Sequence, residues 1–182
     1  MNRLETGFKG LFILEPKIFG DTRGYFFESF NARALADVGI MTQFVQDNQS
    51  FSTAGVVRGL HYQNQPYAQC KLVRVLSGRI LDVVVDLRRS EPTFGKCYSV
   101  ELSADNKRQL FVPVGFAHGF SVLSEHAEIL YKCDQFYHRE SEGGIHVLDP
   151  ALAIDWGVPT NGIVLSQKDA NNQLLVDAVF NF

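Results

Sequence analysis

An eight-residue stretch, VVRGLHYQ (56–63), combines an apolar strand pattern with a cation and an imidazole. Turn-forming residues flank it on both sides, which is typical of a β-strand. Arg58 and His61 are three positions apart, so a regular strand would direct them to opposite faces. A bulge at the intervening Gly59 would bring both side chains to one face, as happens beside many active sites. The alternative is a plain strand with a surface arginine and a core histidine.

Polar residues also interrupt two other apolar runs. Lys71 begins KLVRV (71–75), where strand alternation puts it on the face of Val73 and Val75. If that face lines a barrel, the ammonium needs a carboxylate partner, because an isolated buried charge is costly. Asp82, inside ILDVVV (80–85), is the candidate partner. The alternative is a purely structural salt bridge on the barrel wall.

Further candidates follow along the chain. His118 lies between glycines in PVGFAHGF (113–120), Tyr131 ends an apolar run, and Lys168 and Asp169 share a turn. Each has an ordinary structural explanation, since a strand tyrosine is usually core and a Lys-Asp turn is usually solvated. The sequence alone does not decide between these explanations and a functional role.

Taken together, a base (His61), a cation (Lys71) and an acid (Tyr131) suit proton abstraction next to a carbonyl. The base takes the C–H proton, the cation stabilises the developing enolate, and the acid returns a proton. If acid and base lie on opposite faces of the substrate, the carbon is inverted. A carboxylate bonded to the imidazole would orient it, and Asp169 is the candidate.

Metal binding is the competing chemistry, because many jelly-roll barrels hold a metal through a His-x-His pair, a carboxylate and a later histidine. In this chain His61 is followed two residues later by Gln63. Glutamine is a poor ligand for the transition metals that favour imidazole, and His118 is left as the later ligand. We therefore predict no metal.

The elements that must position these residues are mostly short strands. A helix is predicted from the N-cap Asn31 to Gly39. Strands are predicted at 10–16, 25–30, 44–48, 56–63, 71–76, 79–86, 96–102, 108–112, 116–123 and 129–136. This spacing predicts an all-β jelly-roll barrel with short peripheral helices. We expect residues 1–182 to form a single domain, with N-terminal strands and a C-terminal segment packing around the barrel.

Composition narrows the function classes. The 182 residues are 46% hydrophobic and 20% charged, which is ordinary for a globular protein. A net charge of −3 argues against nucleic-acid and membrane-surface partners, and no apolar stretch approaches the roughly 18 residues of a membrane span. The three cysteines lack CxxC spacing, so neither disulfides nor a zinc site is predicted. We expect a cytoplasmic protein.

The chain resembles the dTDP-4-dehydrorhamnose 3,5-epimerase family, which are cupin-type jelly rolls that form homodimers. The resemblance runs nearly end to end. It rests on nine blocks in the family's order: GDTRGYFFE (20–28), FVQDNQS (44–50), VVRGLHYQ (56–63), KLVRVLSG (71–78), ILDVVVDLR (80–88), FVPVGFAHGF (111–120), ILYKC (129–133), ESEGG (140–144) and LSQKD (165–169). Val147 and Gly157-Val158-Pro159 depart from the family's pattern, which affects local packing rather than chemistry.

The resemblance implies a role for each candidate. His61 is the general base with Asp169 as its partner, Tyr131 is the acid on the opposite face, and Lys71 faces the C4 oxygen with Asp82 beside it. The implied substrate-binding residues are Arg23, Glu28, Gln46, Asp47, Asn48, Arg58, Asp82, His118, Glu142 and Lys168. Among them, the cations Arg23, Arg58 and Lys168 would meet the pyrophosphate.

The implied reaction is epimerisation at C3 and C5 of dTDP-4-dehydro-6-deoxy-D-glucose, which gives dTDP-4-dehydro-L-rhamnose for cell-surface polysaccharide. The resemblance also implies a homodimer and a reaction without cofactor or metal. Relatives that invert only C3 or only C5 keep the same His, Tyr and Asp, so a single-position epimerase stays as an alternative. A non-catalytic jelly roll that binds a nucleotide-sugar or glycan is the second alternative.

Overall fold

Antiparallel strands dominate the computed structural model, which describes residues 1–182. The strands are β1 (Asn2–Glu5), β2 (Phe12–Glu15), β3 (Phe19–Asp21), β4 (Gly24–Phe26), β5 (Gln46–Thr53), β6 (Val57–Gln63), β7 (Lys71–Ser77), β8 (Arg79–Asp86), β9 (Cys97–Ser103), β10 (Gln109–Val112), β11 (Phe116–Val122), β12 (His126–Cys133) and β13 (Glu142–Gly144). The α-helices are α1 (Ala32–Asp37) and α2 (Gln167–Ala170), and single 3-10 turns cover Arg139–Ser141 and Thr160–Gly162.

The strands form two large sheets and one small hairpin. One sheet has the order β1-β2-β10-β7-β12-β5, the other has the order β13-β6-β11-β8-β9, and β3 pairs only with β4. Apolar side chains from both large sheets, such as Val73, Ile129, Val84 and Phe120, form one buried cluster. Two antiparallel sheets that share a core in this way confirm the predicted all-β jelly roll.

Strand alternation decides which side chains point between the sheets. In β7, Val73 and Val75 belong to the cluster shared by the two sheets, whereas Leu72 packs on the outer side with Leu35 of α1. Lys71 shares the parity of Val73, so it lies on the inner face as predicted. The same alternation in β12 turns Ile129 and Tyr131 inward.

Both outer faces are covered by short segments. Helix α1 begins at the N-cap Asn31, whose Oδ1 accepts hydrogen bonds from the N–H groups of Arg33 and Ala34 at 3.0 and 3.2 Å. It stops before Gly39, which adopts φ +87°, so both predicted ends of the helix are confirmed. The second outer face carries the C-terminal segment, whose Trp156 packs with Val83 and Val85.

Strand boundaries differ from the prediction in several places. The strand predicted at 25–30 covers only Gly24–Phe26, and the strand predicted at 129–136 is His126–Cys133. β5 continues to Thr53, beyond the predicted end at 48, although its residues are mostly polar. The strands β1, β3 and β13 were not predicted, because each has only three or four residues and carries no apolar alternation. No helix of the structure has the length and apolar character that crossing a membrane requires.

Candidate active site

A bulge in β6 sets the direction of Arg58 and His61. In the antiparallel pairing with β11, His61 lies opposite His118 and Arg58 lies opposite Phe120, so three steps along β6 match two along β11. Gly59 absorbs the extra residue with φ +131°, a conformation that L side chains rarely adopt. The predicted bulge is therefore confirmed, and both side chains line the same cavity.

His61 is bonded to a carboxylate from the far end of the chain. Its Nε2 lies 2.6 Å from Oδ1 of Asp169, which is buried at the start of α2. The N-cap Ser166 begins that helix by accepting a hydrogen bond from the Asp169 N–H at 3.0 Å. The predicted partnership between His61 and Asp169 thus has hydrogen-bonding geometry, and the structure records no protein hydrogen bond at Nδ1 of His61.

The electrostatics of this pair keep the carboxyl ionised. Burial by itself raises the pKa of Asp169, but hydrogen bonds with His61 and Ser166 outweigh burial, so the pKa lies below its ordinary value. An ionised Asp169 fixes the proton of the imidazole on Nε2. Nδ1 is then the nitrogen with a free lone pair, which is what a general base needs.

Lys71 and Tyr131 lie close to one another on neighbouring strands. The Lys71 Nζ is 6.0 Å from the centre of the Tyr131 ring. Burial lowers the pKa of Lys71, and the nearby Cys133, Asp82 and Glu142 only partly offset it. Burial also raises the pKa of Tyr131, so its phenol holds its proton at neutral pH. The pair offers a weakly solvated ammonium and a protonated phenol.

Asp82 has a different partner from the one expected. Both of its carboxylate oxygens bond to Nε2 of His118, at 2.9 and 3.0 Å, and Asp82 is fully buried. Lys71 forms no ion pair with any carboxylate, so the predicted salt bridge between Lys71 and Asp82 is wrong. His118 and Asp82 are diagonal neighbours on the adjacent strands β11 and β8, since His118 pairs with Val84, two residues from Asp82. This position brings the imidazole within hydrogen-bonding distance of the carboxylate.

Two adjoining cavities share the three candidate catalytic side chains. A strand cavity of about 170 Å³ is lined by Ser50, Arg58, His61, Lys71, His118, Gly119, Phe120 and Tyr131. A loop-side cavity of about 160 Å³ is lined by Gln46, Asn48, His61, Tyr62, Gln63, Gln69, Lys71, Tyr131, Tyr137 and Glu142. Because His61, Lys71 and Tyr131 line both, one continuous site contains a base, a cation and an acid.

Half of the ten predicted binding residues line these cavities, namely Gln46, Asn48, Arg58, His118 and Glu142. Gln46 and Asn48 point inward from β5 and are joined by a side-chain hydrogen bond of 2.9 Å. Arg58 is anchored to the Ser52 hydroxyl at 2.9 Å. Lys168 lies beside the site through a 2.5 Å ion pair with Glu142.

Three predicted binding residues lie away from these two cavities. Arg23 is on the exposed β3-β4 hairpin, paired with Asp21 at 2.5 Å. Glu28 is exposed and accepts a hydrogen bond from the Asn31 amide at 3.0 Å. Asp47 alternates with Gln46 and Asn48, so it points to the opposite face of β5, where it pairs with Lys132.

Sequence reasoning missed the two cavity residues that come from loops. Gln69 and Tyr137 come from loops rather than strands, and both line the loop-side cavity. The Tyr137 ring is 55% exposed, and its hydroxyl donates a 2.9 Å hydrogen bond to Glu142. The only available signal was the concentration of aromatic and polar residues in DQFYHRE (134–140), which by itself does not separate a binding loop from a surface loop.

The position of a second metal-binding histidine is occupied by Gln63, whose side-chain amide bonds only to backbone groups. The chain contains no cluster of three or more His, Cys, Asp or Glu side chains with the geometry of a metal site.

Known proteins match the chain along almost its whole length. The family model described as dTDP-4-dehydrorhamnose 3,5-epimerase matches residues 5–177. The dTDP-4-dehydrorhamnose 3,5-epimerase of Shigella flexneri is 54% identical over 179 residues, which is 98% of each chain.

Two solved structures share the fold as well as the sequence. The 3,5-epimerase of Legionella pneumophila, solved in complex with dTDP-4-keto-L-rhamnose, has a TM-score of 0.92 and 53% identity, covering 97% of this chain and 93% of that one. The dTDP-4-dehydrorhamnose 3,5-epimerase of Elizabethkingia anophelis has a TM-score of 0.92 and 50% identity, covering 97% of both. The fold is therefore the cupin-type jelly roll, and the chain belongs to the dTDP-4-dehydrorhamnose 3,5-epimerase family.

Proposed function

We propose that the chain inverts C3 and C5 of dTDP-4-dehydro-6-deoxy-D-glucose and releases dTDP-4-dehydro-L-rhamnose. The observation that carries this proposal is the His61–Asp169 hydrogen bond at the edge of a cavity that Lys71 and Tyr131 also line. Family membership supports the substrate class, since the similar Legionella enzyme was solved with dTDP-4-keto-L-rhamnose.

Each inversion follows from the chemistry of these side chains. The C4 carbonyl acidifies the hydrogens on C3 and C5, and Nδ1 of His61 removes one of them. The electron pair moves onto the C4 oxygen as an enolate, which the Lys71 ammonium stabilises from a poorly solvated position. The Tyr131 phenol then donates a proton to the opposite face of the same carbon. Exchange with solvent then removes the proton from His61 and returns one to the Tyr131 phenolate, and repetition at the second carbon completes the reaction.

The remaining cavity residues suit the nucleotide diphosphate. Arg58 supplies a guanidinium for the pyrophosphate, with Lys168 close to the site, and the amides of Gln46 and Asn48 can hydrogen-bond a pyrimidine. The exposed Tyr137 ring offers a face on which a nucleobase can stack. His118, held by Asp82, and Glu142 complete the polar lining around the sugar.

Heavy water tests the proposal directly. The protein is incubated with the 4-keto nucleotide-sugar in deuterium oxide, and exchange at C3 and C5 is measured by NMR. We expect deuterium at both carbons with inversion of both, and the His61→Ala variant should incorporate none. Normal incorporation by His61→Ala would refute the assigned base.

The same spectra separate the alternatives. Exchange at one carbon only would identify a single-position epimerase. Tight binding of the nucleotide-sugar with no exchange at all would identify a non-catalytic binding protein, which needs Arg58 and Asn48 but has no use for a base, an acid and an enolate cation together.

We also propose that the working form is a homodimer. The β3-β4 hairpin, residues 19–26, exposes Phe19, Tyr25 and Phe26, large apolar side chains that are 52–65% accessible to water in a monomer. Arg23 belongs to this hairpin and Glu28 follows it by two residues, and neither lines the two cavities that contain His61. A partner subunit that receives this hairpin would account for both observations.

A further inference from the structure

Gln63 is a buried amide whose hydrogen bonds all lead to loop backbone. It is 5% exposed at the end of β6, two residues after His61. Its Nε2 donates to the carbonyls of Tyr67 and Phe136 at 2.6 and 3.3 Å, and its Oε1 accepts from the His138 N–H at 2.8 Å. Both amide N–H groups are therefore committed to the protein, and neither is free to bind a ligand.

These bonds join two loops that flank the loop-side cavity. The first loop, residues 64–70, connects β6 to β7, and the second loop, residues 134–141, follows β12. The rings of Tyr67 and His138 stack across the gap with centroids 3.8 Å apart and planes inclined by 7°. The Gln69 amide also donates to the Gln135 carbonyl at 2.7 Å. Gln63 ties this pair of loops to the strand that carries His61.

The two loops carry the cavity residues that do not come from strands, Gln69 and Tyr137. Tyr137 occupies the middle of the segment that Gln63 holds, between Phe136 and His138. Its own N–H donates to Oε1 of Gln46 at 3.1 Å, so the backbone at Tyr137 is fixed from both sides. Without the Gln63 hydrogen bonds, the backbone at Phe136 and His138 would be free to move. The Tyr137 ring between them would then lose its fixed orientation.

We propose that Gln63 is a positioning residue for the nucleotide-binding rim, which we define as the two loops 64–70 and 134–141 beside the loop-side cavity. Gln63 acts by holding these loops rather than by a hydrogen bond to the substrate. The inference rests on the proposed function for the identity of the ligand, a dTDP-sugar. His61, Lys71 and Tyr131 lie on strands and do not depend on these bonds. Loosening the rim should therefore weaken nucleotide binding and leave the chemical step nearly intact.

The test variant is Gln63→Glu, which keeps an acceptor for His138 and turns an oxygen toward the Tyr67 and Phe136 carbonyls. The matched control is Asn64→Asp, the same chemical change one residue later. The Asn64 side chain bonds to Val179 and Asn181 of the C-terminal segment instead of the two loops. Gln63→Met, a neutral side chain of similar size, replaces the test variant if Gln63→Glu fails to fold.

Calorimetry with dTDP alone measures the Kd for nucleotide binding without requiring turnover. We expect the Kd for dTDP to rise about tenfold in Gln63→Glu, KM for the nucleotide-sugar to rise with it, and kcat to stay within about twofold. Asn64→Asp should shift each quantity by less than about twofold. An unchanged Kd in Gln63→Glu, or an equal loss in Asn64→Asp, would overturn the inference, as would failure of the unmodified protein to bind dTDP.

A double-mutant cycle with Tyr137→Ala identifies the route of the effect. If Gln63 acts through Tyr137, its substitution should change the Kd for dTDP by less than about twofold once Tyr137 is already alanine. Full additivity of the two losses would contradict the inference. Intact dTDP binding with the expected coupling but without epimerisation would refute the proposed function alone.

Discussion

Three side chains with different protonation demands share the candidate site. Hydrogen bonds hold Asp169 in its ionised form and direct the His61 proton to Nε2. Burial lowers the pKa of Lys71 and raises the pKa of Tyr131. Lys71 is made a weaker base and Tyr131 a weaker acid, so both approach the neutral form more closely than they would in water. Such divergence between neighbouring groups is typical of catalytic sites.

Tyr131→Phe tests the separation of acid from base. The variant keeps the ring and removes only the phenolic proton donor, so His61 should still abstract the C–H proton. We expect solvent deuterium to enter the original position while inversion falls by at least about 100-fold, the scale of a lost general acid. NMR in deuterium oxide measures both quantities in one sample. Inversion at the normal rate would remove Tyr131 from its assigned role.

Lys71→Met should stabilise the fold while abolishing epimerisation. The folded state lowers the pKa of Lys71 below 10.5, so its charge opposes folding at every pH below the folded pKa, and this penalty disappears as pH rises toward the unfolded value. We expect the free energy of unfolding at pH 7 to rise by about 1 kcal/mol.

Urea titrations at pH 7 and pH 10 check the sign of this change in the free energy of unfolding. The advantage of Lys71→Met over the unmodified protein should be smaller at pH 10, where the lysine folds with less charge. A variant that is less stable at pH 7 would contradict the predicted sign, because the Lys71 ammonium would then stabilise the fold.

At the scale of elements, one bulge decides whether β6 can serve the site. Gly59 and Gly119 face each other across the β6-β11 pairing, and a Cβ on Gly59 would lie 2.6 Å from the Cα of Gly119. Together with φ +131°, this contact leaves no room for a larger residue. The bulge in turn puts Arg58 and His61 on one face, which regular alternation would prevent.

Gly59→Ala should therefore damage both stability and activity. The strands must separate, and His61 must rotate away from Asp169, so we expect a loss of about 1–3 kcal/mol in the free energy of unfolding. Gly162→Ala is the matched control, because a Cβ there meets nothing within 4 Å. Urea unfolding and the exchange assay measure the two effects. Equal losses of stability and activity in Gly59→Ala and Gly162→Ala would contradict the steric explanation.

At the scale of the whole molecule, the β3-β4 hairpin carries a predicted binding residue, Arg23, that lines neither cavity of the candidate site. Arg23 pairs locally with Asp21 on a hairpin whose residues are all exposed. In a twofold dimer, a hairpin that reaches the partner's cavity implies a second one reaching back. Each active site would then combine His61 of one subunit with Arg23 of the other.

Mixing two inactive variants tests this arrangement. After subunit exchange between His61→Ala and Arg23→Ala, half of the dimers are mixed, and each mixed dimer has one site with both residues intact. We expect about a quarter of the unmodified activity to return.

The control mixes His61→Ala with Arg58→Ala, which line one cavity of the same subunit, so no intact site can form. Light scattering verifies that both mixtures are dimeric. Activity no higher than in the control would show that Arg23 does not cross between subunits.

Much of the site was predictable because strand alternation is local. The inward direction of Lys71 follows from its two-residue spacing to Val73, and the bulge follows from a glycine between a cation and an imidazole. Helix α1 was equally predictable, since Asn31 and Gly39 mark its ends by their own backbone preferences. These features depend on residues within a few positions of each other.

Residue types and their periodicity determined that this chain is an antiparallel β protein with a base, a cation and an acid on inward faces. Only the tertiary structure decided that Asp169 meets His61 across 108 residues, that Asp82 bonds His118 instead of Lys71, and that Gln63 holds two loops. The reason is physical: alternation fixes the face of a side chain, but sheet register and loop paths fix its neighbours. Those depend on packing of the entire core.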